Sequence, residues 1–505
     1  MAKFNSTNKS KPTGTNKAGG VSYNRPIKKE IASVVLNSML NGDSYYEKET
    51  DRMKRIEKLI VTGAGDDAEF VAKAMVYTRN AGRLRSVSHV MANLLAENVK
   101  GSEFLRPALV KAMVRPDDMT EMLSLWNNRN KGQMVPNSMR RAFKTALESK
   151  FDEYQFRKYA APKSAIKLKD VVKMAHPSPK NFEDKSIFKR LIEDELATIS
   201  TAQTMNAGLS GTERVDAYMS QIKSGRMGYM AAVKNIRTLL ENGISEADLK
   251  VWANFITDPK RVAKSMLLPF RFVDGWNACK DLSMDEFKKD IVKKALERAF
   301  GLSAGNTNIA EDGEKVAILL DESGSMGGMG YYGSGEEDKK KPFYIGKVLA
   351  SAMKVGMDED KCLFYTWADT CTRREVRGQS PFDFINNLNT RGGGTDVAAP
   401  LKELINTGTS VDKIVILTDM QMTGGWGNMG DQLKKYLKEY KSNVNPDVKV
   451  LFWNLQGYSG GAPLDLEKTQ EVFEISGFSD KMLEVIPRLW SNPNFLIDVI
   501  EAVEL

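Results

Sequence analysis

Residues 316–326 read VAILLDESGSM, and this stretch decides the fold of the C-terminal part of the chain. Its first five residues are apolar at consecutive positions, which is typical of a parallel strand buried on both faces. The turn that follows carries Asp321, Ser323 and Ser325. Open α/β sheets bind ligands at the carboxyl ends of their strands, and carboxylate and hydroxyl oxygens suit a hard divalent cation such as Mg²⁺. The stretch therefore predicts a buried strand that ends in a candidate cation site.

Two further segments place oxygen donors at the expected position of the same sheet edge. Residues 390–401 read TRGGGTDVAAPL, where Thr395 follows three glycines that allow the backbone to approach a ligand closely. Residues 413–422 read KIVILTDMQM, a second continuous apolar run that ends in Thr418 and Asp419. Two strand ends and a glycine-rich loop therefore supply oxygens to one predicted site.

These three segments resemble the metal-ion-dependent adhesion site of von Willebrand factor A domains. The resemblance implies that Asp321, Ser323 and Ser325 hold a divalent cation, for which Mg²⁺ is the first choice. It also implies that Thr395 and Asp419 complete the shell directly or through water. The alternative is that the same residues only form turns and cap helices.

From residue 316 onward, apolar strand runs alternate with helical runs. The strand runs are VAILL, CLFYTW, KIVILT and VKVLFWNL, and between them lie IGKVLASAMKVG, PLKELINTG and LKKYLKEY. This order is the βαβ pattern of a doubly wound sheet covered on both faces. We therefore expect a doubly wound, Rossmann-like α/β domain of the von Willebrand factor A type over residues 316–505, preceded by a polar linker at 301–315.

Residues 23–310 instead predict one helix after another. Ser245 with Asp248, and Ser283 with Glu286, stand where helix capping boxes are expected, each before an apolar stripe with helical spacing. Roughly a dozen such helices in series indicate an α-solenoid of stacked helix pairs. The fold class is therefore multidomain, with an all-α helical-repeat domain before the α/β domain.

Cysteine and histidine usage excludes several kinds of site. The three cysteines have no C-x-x-C spacing, which argues against a disulfide framework or structural zinc and favours a reducing cytoplasm. His89 and His176 are the only histidines, so a histidine-rich metal site is excluded, and neither has the context of a Ser-His-Asp hydrolase.

The N-terminal residues 1–22 are rich in Ser, Thr, Asn, Lys and Gly, and we expect a disordered basic tail there. They contain no apolar core of a secretory signal, and no apolar stretch in the chain approaches the length of a membrane span. We therefore expect a cytoplasmic protein, monomeric and without a membrane partner.

Charge is distributed unevenly along the chain. Residues 316–505 carry 20 Lys and Arg against 27 Asp and Glu, a net charge of −7, whereas the first 315 residues carry 53 against 38, a net charge of +15. This asymmetry favours a polyanionic partner that binds only the N-terminal part.

The basic residues concentrate between residues 140 and 180, where 11 basic residues stand against 4 acidic ones. Tyr154, Phe156 and Tyr159 are interleaved with them and could stack on exposed bases. In KLKDVVKMAHP, Lys169, Lys173 and His176 follow helical spacing and are expected on one face, which would suit contact with phosphates. The alternative is a solvated helix face with His176 as a cap before Pro177. The predicted RNA-binding residues are Arg140, Arg141, Lys163, Lys167, Lys169, Lys173 and His176.

A basic helical module followed by a von Willebrand factor A domain resembles the TROVE family, that of the Ro autoantigen and its bacterial relatives. The marks of the resemblance are GRMGYMAAVKNIRTLLENG, KLKDVVKMAHPSP, MLLPFRFVDGWNA and the D-x-S-x-S site, in that family's order. It implies a closed ring of HEAT-like repeats over residues 23–310 that binds Y RNA on its outer surface and single-stranded ends of misfolded RNA in its central hole. Lys169, Lys173 and His176 match positions that meet Y RNA.

The resulting expectation is a Ro-like, non-enzymatic RNA-binding scaffold for RNA quality control, which binds a small Y RNA-like noncoding RNA. The alternative is a metal-dependent adaptor that holds an exoribonuclease or another protein at the cation site. A metal-dependent nuclease is least favoured, because two-metal hydrolysis needs clustered carboxylates and this site offers mostly hydroxyls.

Overall fold

The computed structural model describes residues 13–35, 47–159, 165–178, 182–196, 208–304, 309–327, 341–355, 357–390, 392–422, 429–458, 464–466, 469, 471–477 and 481–505. The chain forms two compact units. The helical unit takes residues 26–42, 49–209 and 494–505, and the sheet unit takes residues 1–25, 43–48 and 210–493.

The described part of the helical unit is built from helices alone. They are α1 Ile27–Val35, α2 Glu49–Asn80, α3 Arg85–Asn98, α4 Leu105–Ala112, α5 Pro116–Arg129, α6 Asn137–Ser149, α7 Glu153–Tyr159, α8 Leu168–Ala175, α9 Phe182–Ile192 and, after the sheet unit, α22 Phe495–Glu501. Helices α2 and α3 pack together, as do α4 and α6, which is consistent with stacked helix pairs. The predicted helical series is confirmed.

A buried polar cluster joins α2, α3 and α5. Asp118 is fully buried and accepts hydrogen bonds from Arg79 Nη2 at 2.8 Å, Arg85 Nε at 2.8 Å and His89 Nε2 at 3.2 Å. Burial alone would raise the pKa of Asp118, but the hydrogen bond from His89 and the charge of Arg79 hold that pKa far below its usual range. One of the two histidines of the chain therefore has a structural role.

The last helix of the chain, α22, packs against α1 and α2. Lys28 Nζ lies 2.8 Å from Glu501 Oε1. Lys73 donates to the Glu501 carbonyl and Lys111 to the Glu504 carbonyl, each at 3.0 Å. Lys73 thereby satisfies a final carbonyl of the helix, which has no partner inside the helix, and Lys111 binds the chain just beyond it. The C-terminal residues thus complete the helical unit.

The sheet unit begins with helices and ends with the sheet. Its helices are α10 Gly211–Lys223, α11 Tyr229–Lys234, α12 Ile236–Glu241, α13 Glu246–Ile256, α14 Pro259–Ser265, α15 Pro269–Cys279, α16 Glu286–Ala304, α17 Pro342–Val355, α18 Pro381–Asn387, α19 Ala399–Asn406, α20 Met429–Asn443 and α21 Lys481–Leu489. Its strands are β1 Gly14–Thr15, β2 Val21–Ser22, β3 Val316–Asp321, β4 Cys362–Trp367, β5 Cys371–Arg374, β6 Lys413–Thr418, β7 Lys449–Asn454 and β8 Val472–Ser476.

Six strands form one sheet in the order β5-β4-β3-β6-β7-β8, parallel except for β5. Every residue of β3 and β6 is buried, as their continuous apolar sequences predict. Helices α17, α19 and α20 lie in the connections between strands. The doubly wound α/β domain is therefore confirmed.

Helices α15 and α16 pack within the same unit as the sheet. Lys293 Nζ of α16 lies 2.7 Å from Asp383 Oδ1 of α18, and Phe382 stacks on Trp276 of α15 with ring centroids 6.3 Å apart. Within the predicted linker, residues 301–304 finish α16, and the carbonyl of the buried Ile309 accepts a hydrogen bond from Trp490 Nε1.

Two local predictions about helix starts have different outcomes. Ser245 caps α13, because its hydroxyl accepts the N–H of Asp248. The capping box expected at Ser283 and Glu286 is wrong: α16 begins at Glu286, and Asp285 Oδ1 accepts the N–H of Phe287 at 2.8 Å.

Residues 13–22, which the sequence placed in a disordered tail, form a hairpin instead. Strands β1 and β2 pair antiparallel, and Asn16 and Ser22 are buried. Arg25 pairs with Glu474 of β8, and both side chains are nearly buried. We name residues 13–25 the N-terminal strap. Residues 1–12 of the predicted tail lie outside the described residues.

The contacts of Asp118 predict that its replacement lowers the stability of the helical unit. Asp118→Asn should lower the free energy of unfolding of the helical unit by about 3 kcal/mol, because it removes the charge that several buried donors share. Protection of α3 amides in hydrogen exchange should fall accordingly. The pKa of Asp118 is lower in the folded state than in the unfolded chain. The stability difference between the variant and the unmodified protein should therefore be complete above about pH 4, the pKa of Asp118 in the unfolded chain, and should become smaller at lower pH.

The matched control is Asp66→Asn, the same change at an exposed position of α2, which should alter stability by less than about 0.5 kcal/mol. Equal α3 protection in the two variants would show that Asp118 does not stabilise this cluster.

Candidate metal site and nucleic-acid surface

The sheet topology brings Asp321 and Asp419 to one edge. Strands β3 and β6 are parallel neighbours, with Leu320 opposite Leu417. Asp321 ends β3, Thr418 ends β6, and Asp419 follows directly. The connections from β3 and from β6 leave in opposite directions along the sheet, so this is the switch point where open α/β sheets bind ligands.

Hydrogen bonds fix the Asp321 carboxylate. Its Oδ1 accepts the N–H of Ser323 at 2.8 Å, and its Oδ2 accepts the hydroxyl of Thr418 at 2.7 Å. The hydroxyl oxygens of Ser323 and Ser325 lie 3.3 Å apart. The D-x-S-x-S turn therefore places one carboxylate and two hydroxyls together, all of them buried.

The Asp419 carboxylate is only half satisfied. Its Oδ1 accepts the N–H of Gln421 at 3.0 Å, whereas its buried Oδ2 has no hydrogen-bond partner among the described residues. A buried carboxylate oxygen without a partner is costly unless a cation is bound to it. The donor set therefore fits a hard divalent cation.

Burial raises the pKa of both Asp321 and Asp419, and the charge of Asp321 raises that of Asp419 further. Two carboxylates in a dry site repel each other when both are ionised, and a divalent cation between them would reverse this effect. Within the described residues, no three His, Cys, Asp or Glu side chains are grouped to hold a metal, so a cation here would also need the hydroxyls.

The glycine-rich loop adjoins the D-x-S-x-S turn. Gly324 donates its N–H to the Gly393 carbonyl at 3.2 Å, and the Thr390 hydroxyl donates to the Glu322 carbonyl at 3.2 Å. Thr395 is buried in this loop. The neighbouring Asp396 accepts the N–H of Ala398, the residue before α19, and pairs with Lys402 of α19 at 2.9 Å, so both oxygens of its carboxylate have partners.

Thr418 was not among the site residues predicted from the sequence. It is fully buried and orients Asp321 through the hydrogen bond already described, while it also accepts the N–H of Met420 at 3.1 Å. The sequence feature that could have identified Thr418 is its position at the end of an apolar strand, directly before a predicted ligand.

The basic residues of α6 and α8 lie on one packed pair of helices. Helix α8 buries Leu168, Val171, Val172 and Ala175, and its amphipathic character is as predicted. Helices α6 and α8 pack together, and Lys144 Nζ lies 3.4 Å from Ser178 Oγ just beyond α8. We define the basic surface by its exposed residues Arg140, Arg141, Lys167, Lys173 and His176.

Lys163 lies outside the described residues, and other predicted members of the surface differ from expectation. Lys169 is half-buried and forms an ion pair with Asp194 at 2.5 Å, so its charge is partly neutralised. His176 is not in the helix: it is the left-handed C-cap of α8, with φ 48°, and its N–H donates to the Val172 carbonyl. Phe156 is buried and cannot stack on a base, whereas Tyr154 is 58% exposed.

No described helix is both long enough and apolar enough to cross a membrane.

Comparison with known proteins identifies the family. The sequence profile of the TROVE domain matches residues 28–215 and 217–341, which together are more than half of the chain. The crystal structure of the Ro (RSR) protein of Deinococcus radiodurans has a similar fold, with a TM-score of 0.63 and 15% identity over 93% of this chain and 100% of that chain. No curated protein sequence matches significantly. On the extent of the profile match, this protein belongs to the TROVE family.

Proposed function

We propose that this protein is a non-enzymatic RNA-binding scaffold of the Ro type. It would bind a small structured noncoding RNA on the basic surface and single-stranded ends of misfolded RNA elsewhere on its helical repeats, in RNA quality control. Membership of the TROVE family supports RNA binding in general. The observation that carries the proposal is the exposed basic surface of α6 and α8, within the family's domain.

The chemistry of the basic surface suits a phosphate backbone. Arginine and lysine side chains that stand in solvent contact phosphates without reading sequence, and the counterions they release make binding depend on salt. His176 adds a ring that can donate to a phosphate or stack on a base, since the left-handed cap leaves it exposed.

Lys173 should contribute more than Lys169. Lys169 must give up its ion pair with Asp194 before it can contact a phosphate, whereas Lys173 is exposed on the same helix. An exposed ion pair is worth about 1 kcal/mol or less, so this cost reduces the contribution of Lys169 without abolishing it.

The cation site supports a second function, that of a metal-dependent adaptor, which could coexist with RNA binding. A Mg²⁺ ion held by Asp321, Ser323 and Ser325, with Asp419 and Thr395 completing the shell, would leave room for an acidic side chain of a partner protein. The buried Oδ2 of Asp419, which has no hydrogen-bond partner in the part of the chain that the structure describes, is the observation that favours it. The small number of carboxylates argues for holding one ion rather than for two-metal hydrolysis.

Charge reversal on α8 tests RNA binding. The double variant K169E/K173E should weaken binding of a labelled stem-loop RNA with a single-stranded 3′ tail by about tenfold in a gel shift, because two phosphate contacts become repulsive. The loss should shrink as salt rises. The control Lys294→Glu makes the same kind of change at an exposed lysine of α16 and should cost less than about twofold. Unchanged affinity in the double variant would rule out α8 as the binding surface.

Loss of one hydroxyl tests the cation site. Thr418→Val is nearly isosteric, yet it removes the hydrogen bond that orients Asp321, so it should weaken Mn²⁺ binding about tenfold in an electron paramagnetic resonance titration. Thr407→Val, at the end of α19, is the matched control and should bind Mn²⁺ normally.

Asp321→Ala should abolish Mn²⁺ binding and leave RNA affinity intact, since the two functions use different residues. If Asp321→Ala bound Mn²⁺ as the unmodified protein does, the proposed cation site would be wrong.

A further inference from the structure

The N-terminal strap contacts the loop that presents a predicted metal ligand. Residues 420–422 follow Asp419 directly, and the backbone carbonyls of Met420 and Met422 accept hydrogen bonds from the strap. The contact joins residues more than 400 positions apart in the chain. It places the first described residues of the protein beside its candidate cation site.

Asn16 makes the central contact, and its side chain is 8% exposed. Its Nδ2 donates to the Met422 carbonyl at 2.9 Å and to the Met420 carbonyl at 3.3 Å. Its Oδ1 accepts the N–H groups of Gly20 at 2.7 Å and Ala18 at 3.1 Å. One half of this amide therefore closes the turn of the strap, while the other half binds the loop after Asp419.

A chain of hydrogen bonds leads from the strap to the ligand itself. The N–H of Ala18 donates to Gln421 Oε1 at 3.2 Å, and the N–H of Gln421 donates to Asp419 Oδ1 at 3.0 Å. Met420, which lies between Asp419 and Gln421 in the chain, has a left-handed backbone with φ 62°, a conformation that is costly for a residue with a side chain. The contacts of the strap therefore help to hold the conformation that orients Asp419.

Two further features fix the strap against the sheet unit. A Cβ atom on Gly20 would lie 2.1 Å from the Met422 carbonyl oxygen, so only glycine permits this approach. At the other end of the strap, Arg25 pairs with Glu474 of β8. The strap is therefore held against the sheet unit at two points, at its turn by the close approach of Gly20 and at its C-terminal end by Arg25.

We infer that Asn16 is a positioning residue of the cation site, and that docking of the N-terminal strap and binding of a divalent cation at Asp321 and Asp419 are coupled. The inference rests on the proposed cation site. Asn16 does not touch the ion; it acts through the loop that carries Asp419. Because coupling is reciprocal, a bound cation stabilises the docked strap, and release of the strap weakens cation binding.

The coupling gives the cation site a means of regulation. Any partner that draws the strap away from the sheet unit would lower the affinity of the site, and anything that fills the site would hold the strap in place. Whether the N-terminal strap is docked therefore depends on whether a cation is bound at the sheet edge.

Asn16→Asp tests the inference without removing the turn of the strap. The new carboxylate still accepts the N–H groups of Ala18 and Gly20, but it faces two carbonyl oxygens where the amide donated to them. The full-length variant should bind Mn²⁺ at least fivefold more weakly than the unmodified protein in an electron paramagnetic resonance titration. The matched control is Asn24→Asp, the same change at an exposed residue of the same strap, with an affinity within twofold of the unmodified protein.

Gly20→Ala is an independent second variant, because it blocks the approach to Met422 while it leaves Asn16 intact. It should weaken Mn²⁺ binding as Asn16→Asp does. In the unmodified protein, saturating Mg²⁺ should slow hydrogen exchange of the Ala18 and Gly20 amides, and this effect should be lost in Asn16→Asp.

The outcomes separate the inference from the functions proposed above. Normal Mn²⁺ affinity in both Asn16→Asp and Gly20→Ala would overturn the coupling alone. A lack of Mn²⁺ binding by the unmodified protein would overturn the cation site together with the coupling, and RNA binding would be untouched by either result.

Discussion

The hydrogen bond from Thr418 to Asp321 is the contact on which the candidate cation site depends. It joins the ends of two buried parallel strands, and it holds a carboxylate that burial would otherwise push toward its neutral form. Asp419, one residue further along, keeps a buried oxygen with no partner among the described residues. Two buried carboxylates at one sheet edge, with the hydroxyls of Ser323 and Ser325 beside them, form the donor set on which the proposed cation site rests.

The sequence was sufficient to predict the sheet and the placement of Asp321 and Asp419 at one of its edges. The strands over residues 316–321 and 413–418 were predicted from continuous apolar runs, because burial on both faces leaves no polar positions. Parallel pairing then brings the ends of those runs together wherever they lie in the chain. Ser245 was also found, since a capping box is a contact between near neighbours in sequence.

Contacts between residues that are far apart in the chain could not be predicted from the sequence. Nothing near Lys169 indicates that Asp194 will neutralise it, and nothing near Asn16 indicates that it binds carbonyls more than 400 residues away. The composition of the first residues indicated disorder, because polar and glycine-rich segments have little apolar surface to bury. The strap is instead ordered by hydrogen bonds and a buried ion pair. His176 was misplaced because the left-handed cap ends α8 one residue earlier than the spacing implied.

The packing of α22 against α1 and α2 has a consequence for how the protein is made. Residues 494–505 are translated after the rest of the helical unit, yet this unit incorporates them beside its first two helices. The strap likewise waits for β8 and the loop after β6, which are translated late. Each unit therefore combines early and late segments, so a chain truncated before residue 494 would leave apolar surface of the helical unit exposed to aggregation or proteolysis.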